Sequence, residues 1–333
     1  LQNNSIVTPF EAVTGMYSLP GRHDIDPTAI LAPFYFLFFG LMLSDAAYGL
    51  ILTTLCAIIL KKYKPEGTTH RMIKMFMFCG LSTFMWGALF GGWFGNFFTV
   101  AAKTFFGKEF VIKPLWFDPL SEPMKLLVVS LILGAIHLFV GMGVQAYMDI
   151  KDGRPLDALF DIGLWYLLLI GIVLFAFGGK LGAGAVGIGK IMAIIGAVGI
   201  LLTGGRKKKG IFGKLTGGLG SLYGITSYLS DVLSYSRLLA LGLATGVVAQ
   251  VFNTLGSLAG GGIAGSVLLI VVFAFGTVFN IAINALGAFV HSCRLQYVEF
   301  FGKFYTGGGR PFAPFERKTK YIKILKEGND NVK

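Results

Sequence analysis

The sequence predicts an all-α polytopic integral membrane protein, and three observations lead there. Only 14% of the 333 residues are charged, against about 25% in a soluble domain, so solvated side chains are too few to cover a globule. Mean hydropathy is +0.71. The apolar residues also gather in runs that meet the length of about 20 residues needed to cross a bilayer. The same figures exclude disorder, because 14% of the chain is aromatic and disordered segments are poor in such residues. The 47 glycines follow no G-X-Y period and suit membrane helices whose backbones approach closely.

Residues 1–29 carry Pro9, Pro20 and Pro27 and read as an interfacial or cytoplasmic approach segment. A transmembrane domain is expected over 30–302, with apolar segments at 30–60, 72–98, 124–147, 157–178, 186–203, 218–257 and 262–302. Residues 303–333 form a basic tail. The first segment is predicted to break near Ser44, Asp45 and Gly49 into two short helices, which gives about eight transmembrane helices in all. Each of the last two segments is about 60 Å long if wholly helical. The hydrocarbon core is only about 30 Å thick, so both must tilt strongly or project beyond it. No internal repeat of the inverted-transporter kind is visible.

Charge placement orients the chain. Five basic residues fall in 61–74, five in 206–214 and eight from Lys303 onward, while the connections between them on the opposite side are leaner. That is the positive-inside pattern, which assigns the formal +12 to topology and not to nucleic acid. It sets the C-terminus in the cytoplasm; the N-terminus joins it there if 30–60 is broken in two, the alternative being one tilted helix of about 46 Å with the N-terminus outside. The chain begins at Leu1 with no signal-peptide pattern and is expected to be the membrane part of a longer protein. Cys56, Cys79 and Cys293 sit in apolar stretches without metal-ligand spacing and are read as packing residues.

Ionisable residues inside apolar segments are the functional candidates, because insertion alone costs about 2.5–3.5 kcal/mol for each. Arg237 lies mid-way along 218–257, too far from either end to snorkel, and its guanidinium stays charged. Ser227, Ser230, Ser234 and Arg237 are spaced 3, 4 and 3, a single helical stripe with Asp231 beside it. In the last segment Thr277, Asn280, Asn284, Gly287, His291 and Arg294 repeat that spacing, a polar file suited to holding water. His291 exchanges protons near neutrality, and Glu299 follows near the inner mouth, as an acceptor or a partner of Arg294. Asp45 either caps the second short helix or lines an aqueous entry. His137 is read as a packing residue, and Asp157 and Asp161 as structural acids at a helix start.

Hydrolase signatures are missing: no HExxH, CxxC or paired intramembrane carboxylates occur. The Gly-rich runs at 178–205 and 307–311 lack the G-K-[ST] ending of a nucleotide loop, so no nucleotide site is expected in this chain. What remains is ion movement past fixed positive charges, with the opposing carboxylate supplied by a partner.

Three motifs carry a family resemblance: IDPTAILAPFYFLFFGLMLSDAAYGL at 25–50, LSYSRLLALGLA at 233–244, and LGAFVHSCRLQYVEFFGKFYTGGGRPFAPF at 286–315. Together they resemble the membrane half of subunit a, or subunit I, of V-type and archaeal-type rotary ATPases, over essentially the whole chain. The resemblance implies a soluble N-terminal stator domain upstream of Leu1, a proteolipid c-ring facing the two long helices, and peripheral-stalk and central-stalk partners. It implies H+ or Na+ as the transported ion and no resident cofactor. Arg237 matches the essential arginine of the penultimate helix, Arg294 the second arginine, and Glu299 a glutamate common in the family. Eukaryotic members carry a glutamate seven residues before the matching histidine, where this chain has Asn284. That departure favours a bacterial or archaeal origin, hence a prokaryotic plasma membrane. The competing readings are a self-contained secondary transporter or channel using the stripe at 277–294, and a structural anchor.

Overall fold

The computed structural model describes residues 3–21, 24–107, 111–180, 183–206, 211–258 and 262–309. Among them the regular structure is helical, with a single isolated bridge between Leu19 and Gly309. After a short helix α1 (Glu11–Tyr17), the first apolar segment forms α2 (Thr28–Leu43) and α3 (Ala46–Tyr63). The break falls at Ser44, which takes the left-handed conformation with φ +34°, and at Asp45, whose side chain caps α3. Next come α4 (Gly67–Phe90), a short α5 (Phe97–Phe106) and α6 (Pro123–Lys151). A hairpin is built from α7 (Pro155–Ala158), a π-turn at Leu159–Gly163, α8 (Leu164–Phe177) and α9 (Ala183–Thr203). The chain then runs through α10 (Ile211–Tyr223), α11 (Ile225–Ser234) and α12 (Ser236–Ser257) to α13 (Ile263–Arg294) and a second π-turn, Leu295–Phe301.

Seven stretches among the described residues are long and apolar enough to cross a membrane, and the shorter α2 adds to them. The penultimate stretch, Thr216–Ser257, has 42 residues and the last, Gly265–Phe304, has 40. Both are about twice the length that spans the core upright. One expectation is corrected: the segment at 72–98 is not a single helix. It ends at Phe90, where Gly91 turns left-handed at φ +73°, and residues 91–96 fold back before α5 begins. Most of the basic tail, 310–333, lies outside the described residues.

Packing places α2 at the centre. Its Leu31, Tyr35, Phe38 and Leu41 are fully buried, and they share a core with Met75 of α4, Leu138 of α6, Tyr235 and Leu238 of the penultimate stretch, and Ala288 and Phe300 of the last. The α8–α9 hairpin has a small separate core of Trp165, Leu168 and Ile200. Glycine makes these contacts close. A Cβ on Gly171 would lie 2.5 Å from Ala193 N, and one on Gly189 would lie 2.6 Å from Phe175 N. The Gly-rich run is therefore a helix-packing face. The second glycine run works as a strap: Gly307 (φ +69°) and Gly308 (φ +85°) donate their N–H groups to Asp24 Oδ2 at 2.8 Å and Ser18 Oγ at 2.9 Å. This ties the approach segment to the end of the last helix.

Two outcomes follow. Gly189→Ala lowers the thermal stability of the detergent-purified protein by about 1–3 kcal/mol, the cost of overpacking. Gly187→Ala, whose Cβ meets nothing within 4 Å, is neutral or stabilises by up to about 1 kcal/mol through helix propensity. The strap predicts a pH effect. Burial alone would raise the pKa of Asp24, but hydrogen bonds from Thr306, Gly21 and Gly307 outweigh it and hold the carboxyl below its usual 3.8. A lowered folded pKa gives stability that is present above 3.8 and is lost as pH falls through the folded value. Melting curves of wild type and Asp24→Asn should therefore differ at neutral pH and converge in acid.

Candidate functional site

Arg237 stands at the second position of α12, just past the Tyr235 turn that separates α11 from α12. Its Nη2 donates to Ser234 Oγ at 3.1 Å, and Ser234 in turn donates to Glu299 Oε1. Glu299 is 3% exposed and sits on the π-turn after α13. The guanidinium and the carboxylate are thus joined through one hydroxyl, and Arg237 makes no direct ion pair among the described residues. Arg237 Nη1, His291 Nδ1 and Glu299 Oε2 are buried without a hydrogen-bond partner. Arg294 is exposed, within electrostatic range of Arg237 and His291. Glu299 therefore turns toward Ser234 and Arg237 and not toward Arg294.

Asp231 does not pair with Arg237. Lys303 Nζ reaches Asp231 Oδ2 at 2.5 Å and lies over the Tyr228 ring, 4.2 Å from its centroid. The side chains are 20% and 15% exposed, so the pair is largely withdrawn from water. Beside it opens a cavity of 470 Å³ lined by Gln145, Asp161, Ser221, Ser227, Tyr228 and Lys303, among others. At the edge of this region Arg206 bridges Asp157 at 2.5 Å and Asp161 at 2.9 Å. The two acids read as a helix start thus also tie the beginning of the hairpin to the turn that follows α9.

Toward the other end the stripe of the last helix is used differently. Asn280 Nδ2 donates to Tyr48 Oη at 3.0 Å and to Thr245 O at 3.1 Å, and Asn284 Nδ2 donates to Asn280 Oδ1. Both amides are buried, whereas Arg294 is exposed. The stripe holds roughly one face at 100° per residue, and what changes along it is the neighbour: Asn280 meets α3 and α12, whereas Arg294 stands exposed. Asp45, 3% exposed, accepts four backbone N–H groups. Oδ1 takes Ala47 at 3.0 Å, Tyr48 at 3.2 Å and Phe94 at 3.1 Å, and Oδ2 takes Gly95 at 2.9 Å. Asp45 is thus a cap that also pins the 91–96 loop. It borders a cavity of 210 Å³ lined by Ser44, Trp93, Asn96, Gly246 and Gln250, among others.

Sequence reasoning missed Tyr48 and Thr245 as partners of the stripe, Lys303 as the partner of Asp231, and Gln296 as a wholly buried amide. Nothing in the local pattern marks Gln296, because it follows Arg294 into a π-turn where helical spacing no longer applies. Among the described residues no three His, Cys, Asp or Glu side chains converge as metal ligands.

With this geometry in hand, comparisons with known proteins agree with one another. Residues 225–317 match the model of the V-type ATPase 116kDa subunit family. The A-type ATP synthase subunit I of Methanocaldococcus jannaschii is 36% identical over 352 residues, covering 96% of this chain and 49% of that protein. That of Thermococcus kodakarensis is 37% identical over 332 residues, covering 97% and 48%. The V-type ATP synthase subunit I of Chlamydia trachomatis is 23% identical, covering 95% and 56%. The chain spans about half the length of the curated relatives it matches.

The Asp231–Lys303 pair generates a double-mutant test. Asp231→Asn and Lys303→Met each leave one largely buried charge unpaired, so each lowers thermal stability. The double variant recovers part of the loss, with a coupling of about 1 kcal/mol or more. Additive losses would remove the ion pair as the explanation.

Proposed function

The chain belongs to the subunit I (subunit a) family of V-type and archaeal-type rotary ATPases, and on that premise we propose that it supplies the stationary wall of an ion path whose moving wall is a proteolipid ring. The observation that carries the proposal is the state of Arg237. It is a permanent cation with a buried, unpartnered Nη1, restrained by a neutral hydroxyl and, among the described residues, in no direct ion pair with a carboxylate. The last stretch, Gly265–Phe304, leaves Val271, Phe275, Val278 and Leu286 exposed, an apolar face that supports packing against another membrane element.

The mechanism follows from electrostatics. A ring carboxylate that has lost its ion is drawn to the guanidinium by about 4 kcal/mol at 4 Å with an effective dielectric near 20. The same fixed charge repels a free cation, so H+ or Na+ does not leak straight through. It boards the ring from one half-channel and leaves by another. The cavity beside Asp45 and Gln250 suits one aqueous entry, and the cavity beside Ser227 and Lys303 suits the other. ATP is hydrolysed or made elsewhere in the assembly, which the stator couples to ion flow through the stalk subunits. A self-contained channel has less support, because Asn280 and Asn284 are committed to hydrogen bonds with each other and with α3 and α12.

In the reconstituted whole complex, Arg237→Gln should reduce ATP-driven ion uptake to background while assembly is unchanged, with proton and sodium readouts run in parallel. Uptake that survives in an assembled complex would sink the fixed-charge reading.

A further inference from the structure

Ser234 and Glu299, which meet beside Arg237, belong to two irregular turns, and a third helix touches both turns. Around Tyr235 the backbone hydrogen bonds span three residues, from Tyr235 N–H to Val232 O at 3.1 Å and from Leu238 N–H to Tyr235 O at 3.0 Å. The helix therefore tightens between Ser234 and Arg237. Glu299 lies on the widened π-turn Leu295–Phe301. Neither turn keeps the regular ladder of an α-helix, and departures of this kind mark hinges and functional sites. The spacing of Arg237 and Glu299 thus depends on what the two turns are fastened to.

Both are fastened to His137 of α6. Its Nδ1 is 2.7 Å from Tyr235 Oη, and its ring is stacked on Phe300, with centroids 4.4 Å apart and an interplanar angle of 15°. Tyr235 directly follows Ser234, and Phe300 directly follows Glu299. Gln296, wholly buried on the same π-turn, is a further side-chain hydrogen-bond neighbour of the imidazole. The face of α6 is shaped for the two rings: a Cβ on Gly134 would lie 2.3 Å from Tyr235, and one on Gly141 would lie 3.0 Å from Phe300. These glycines stand three residues before and four after His137, on one side of the helix. Phe34 and Phe38 of α2 enclose the imidazole at centroid distances of 4.4 and 5.1 Å. His137, Tyr235 and Phe300 are all fully buried.

We propose that His137 is a positioning residue for the ion path: it brackets the Tyr235 turn and the π-turn, and so sets the height and spacing of Arg237 and Glu299. A residue that only filled space in this apolar seat would need no nitrogen, because burying a polar group is costly unless it is hydrogen-bonded. The hydrogen bond makes the seat selective for one register. Sliding α12 along α6 by a single residue's rise, about 1.5 Å, would break it and leave a buried hydroxyl unpaired. A passing carboxylate that pulls on Arg237 therefore works against the bracket, and the charge keeps its height. The bracket stands on these contacts alone, whereas its part in ion movement rests on the fixed-charge reading above.

The test uses the reconstituted whole complex, with ATP-driven ion uptake expressed per assembled complex, so that a variant which merely destabilises the subunit does not register. Tyr235→Phe removes one oxygen and leaves the ring. His137→Phe keeps an aromatic face for Phe300 and removes the nitrogens. Each should slow maximal uptake about tenfold, the scale of one buried hydrogen bond, at an unchanged ATP concentration for half-maximal hydrolysis. The double variant should be no slower than the slower single, because both break the same bond, whereas two unrelated defects would multiply to about a hundredfold. Electron cryomicroscopy of the Tyr235→Phe complex should find Ser234 and Glu299 beyond hydrogen-bond reach. Wild-type uptake in Tyr235→Phe, a multiplying double variant or an intact Ser234–Glu299 bond overturns the proposal. If His137→Phe does not assemble, Tyr235→Phe, which loses a single atom, still decides. Arg237→Gln measured alongside separates the failures: uptake that survives in it sinks the fixed-charge reading and the role of the bracket with it, and wild-type uptake in Tyr235→Phe beside a silent Arg237→Gln sinks the bracket alone.

Discussion

Away from water, a polar group in this bundle finds its partner in the protein or remains a large energetic liability. The architecture around α2 can be derived from that constraint. A helix that stops at Ser44 inside an apolar region exposes the N–H groups at the start of α3. Asp45 answers two of them and then takes two more from the 91–96 loop. One carboxylate therefore fixes the helix break, the end of α4 and the approach of α5. Gly95, at φ +63°, has its Cβ position only 2.7 Å from Ala249 Cβ, so the same loop is pressed against α12. Asn280 extends the arrangement by joining α13 to Tyr48 of α3 and to the Thr245 carbonyl of α12.

How much of this could be read from the sequence depended on whether the signal was local. The helix break was legible because SDAAYG puts an N-cap acid inside an apolar run, which has few explanations. The two long final stretches were legible from length alone. The Arg237–Ser234 contact followed from a spacing of three. Asp231 was different: its partner Lys303 lies 72 positions away, and nothing in either neighbourhood announces the other. The early end of α4 was missed because residues 91–98 are as apolar as a helix interior, and the left-handed Gly91 turn is decided by the loop's hydrogen bonds to Asp45.

The π-turns explain a second class of failure. Spacing arguments assume 100° per residue, and that assumption holds down α13 to Arg294. From Leu295 to Phe301 the helix widens, so residues beyond it fall on faces that the period does not give. Glu299 looks five residues removed from Arg294, yet the structure turns it to Ser234. Wide turns of this kind recur at functional sites because they re-aim side chains without breaking the helix.

The two halves of the polar interior are satisfied to different degrees, and the difference has a physical meaning. Around Asp45 and Asn280 the donors and acceptors are matched by protein groups, which makes that region stiff. Around Arg237, His291 and Glu299 several buried atoms remain unmatched, though they lie on helices equally able to supply partners. A guanidinium tied into a carboxylate of its own chain would be a neutral staple, and an opposing charge would gain little by approaching it. Holding Arg237 through a hydroxyl keeps its position fixed and its charge available, while Glu299 stays close enough to limit the cost of burying that charge. A site arranged this way is restrained without being neutralised, the condition under which a fixed charge can both attract a passing carboxylate and release it.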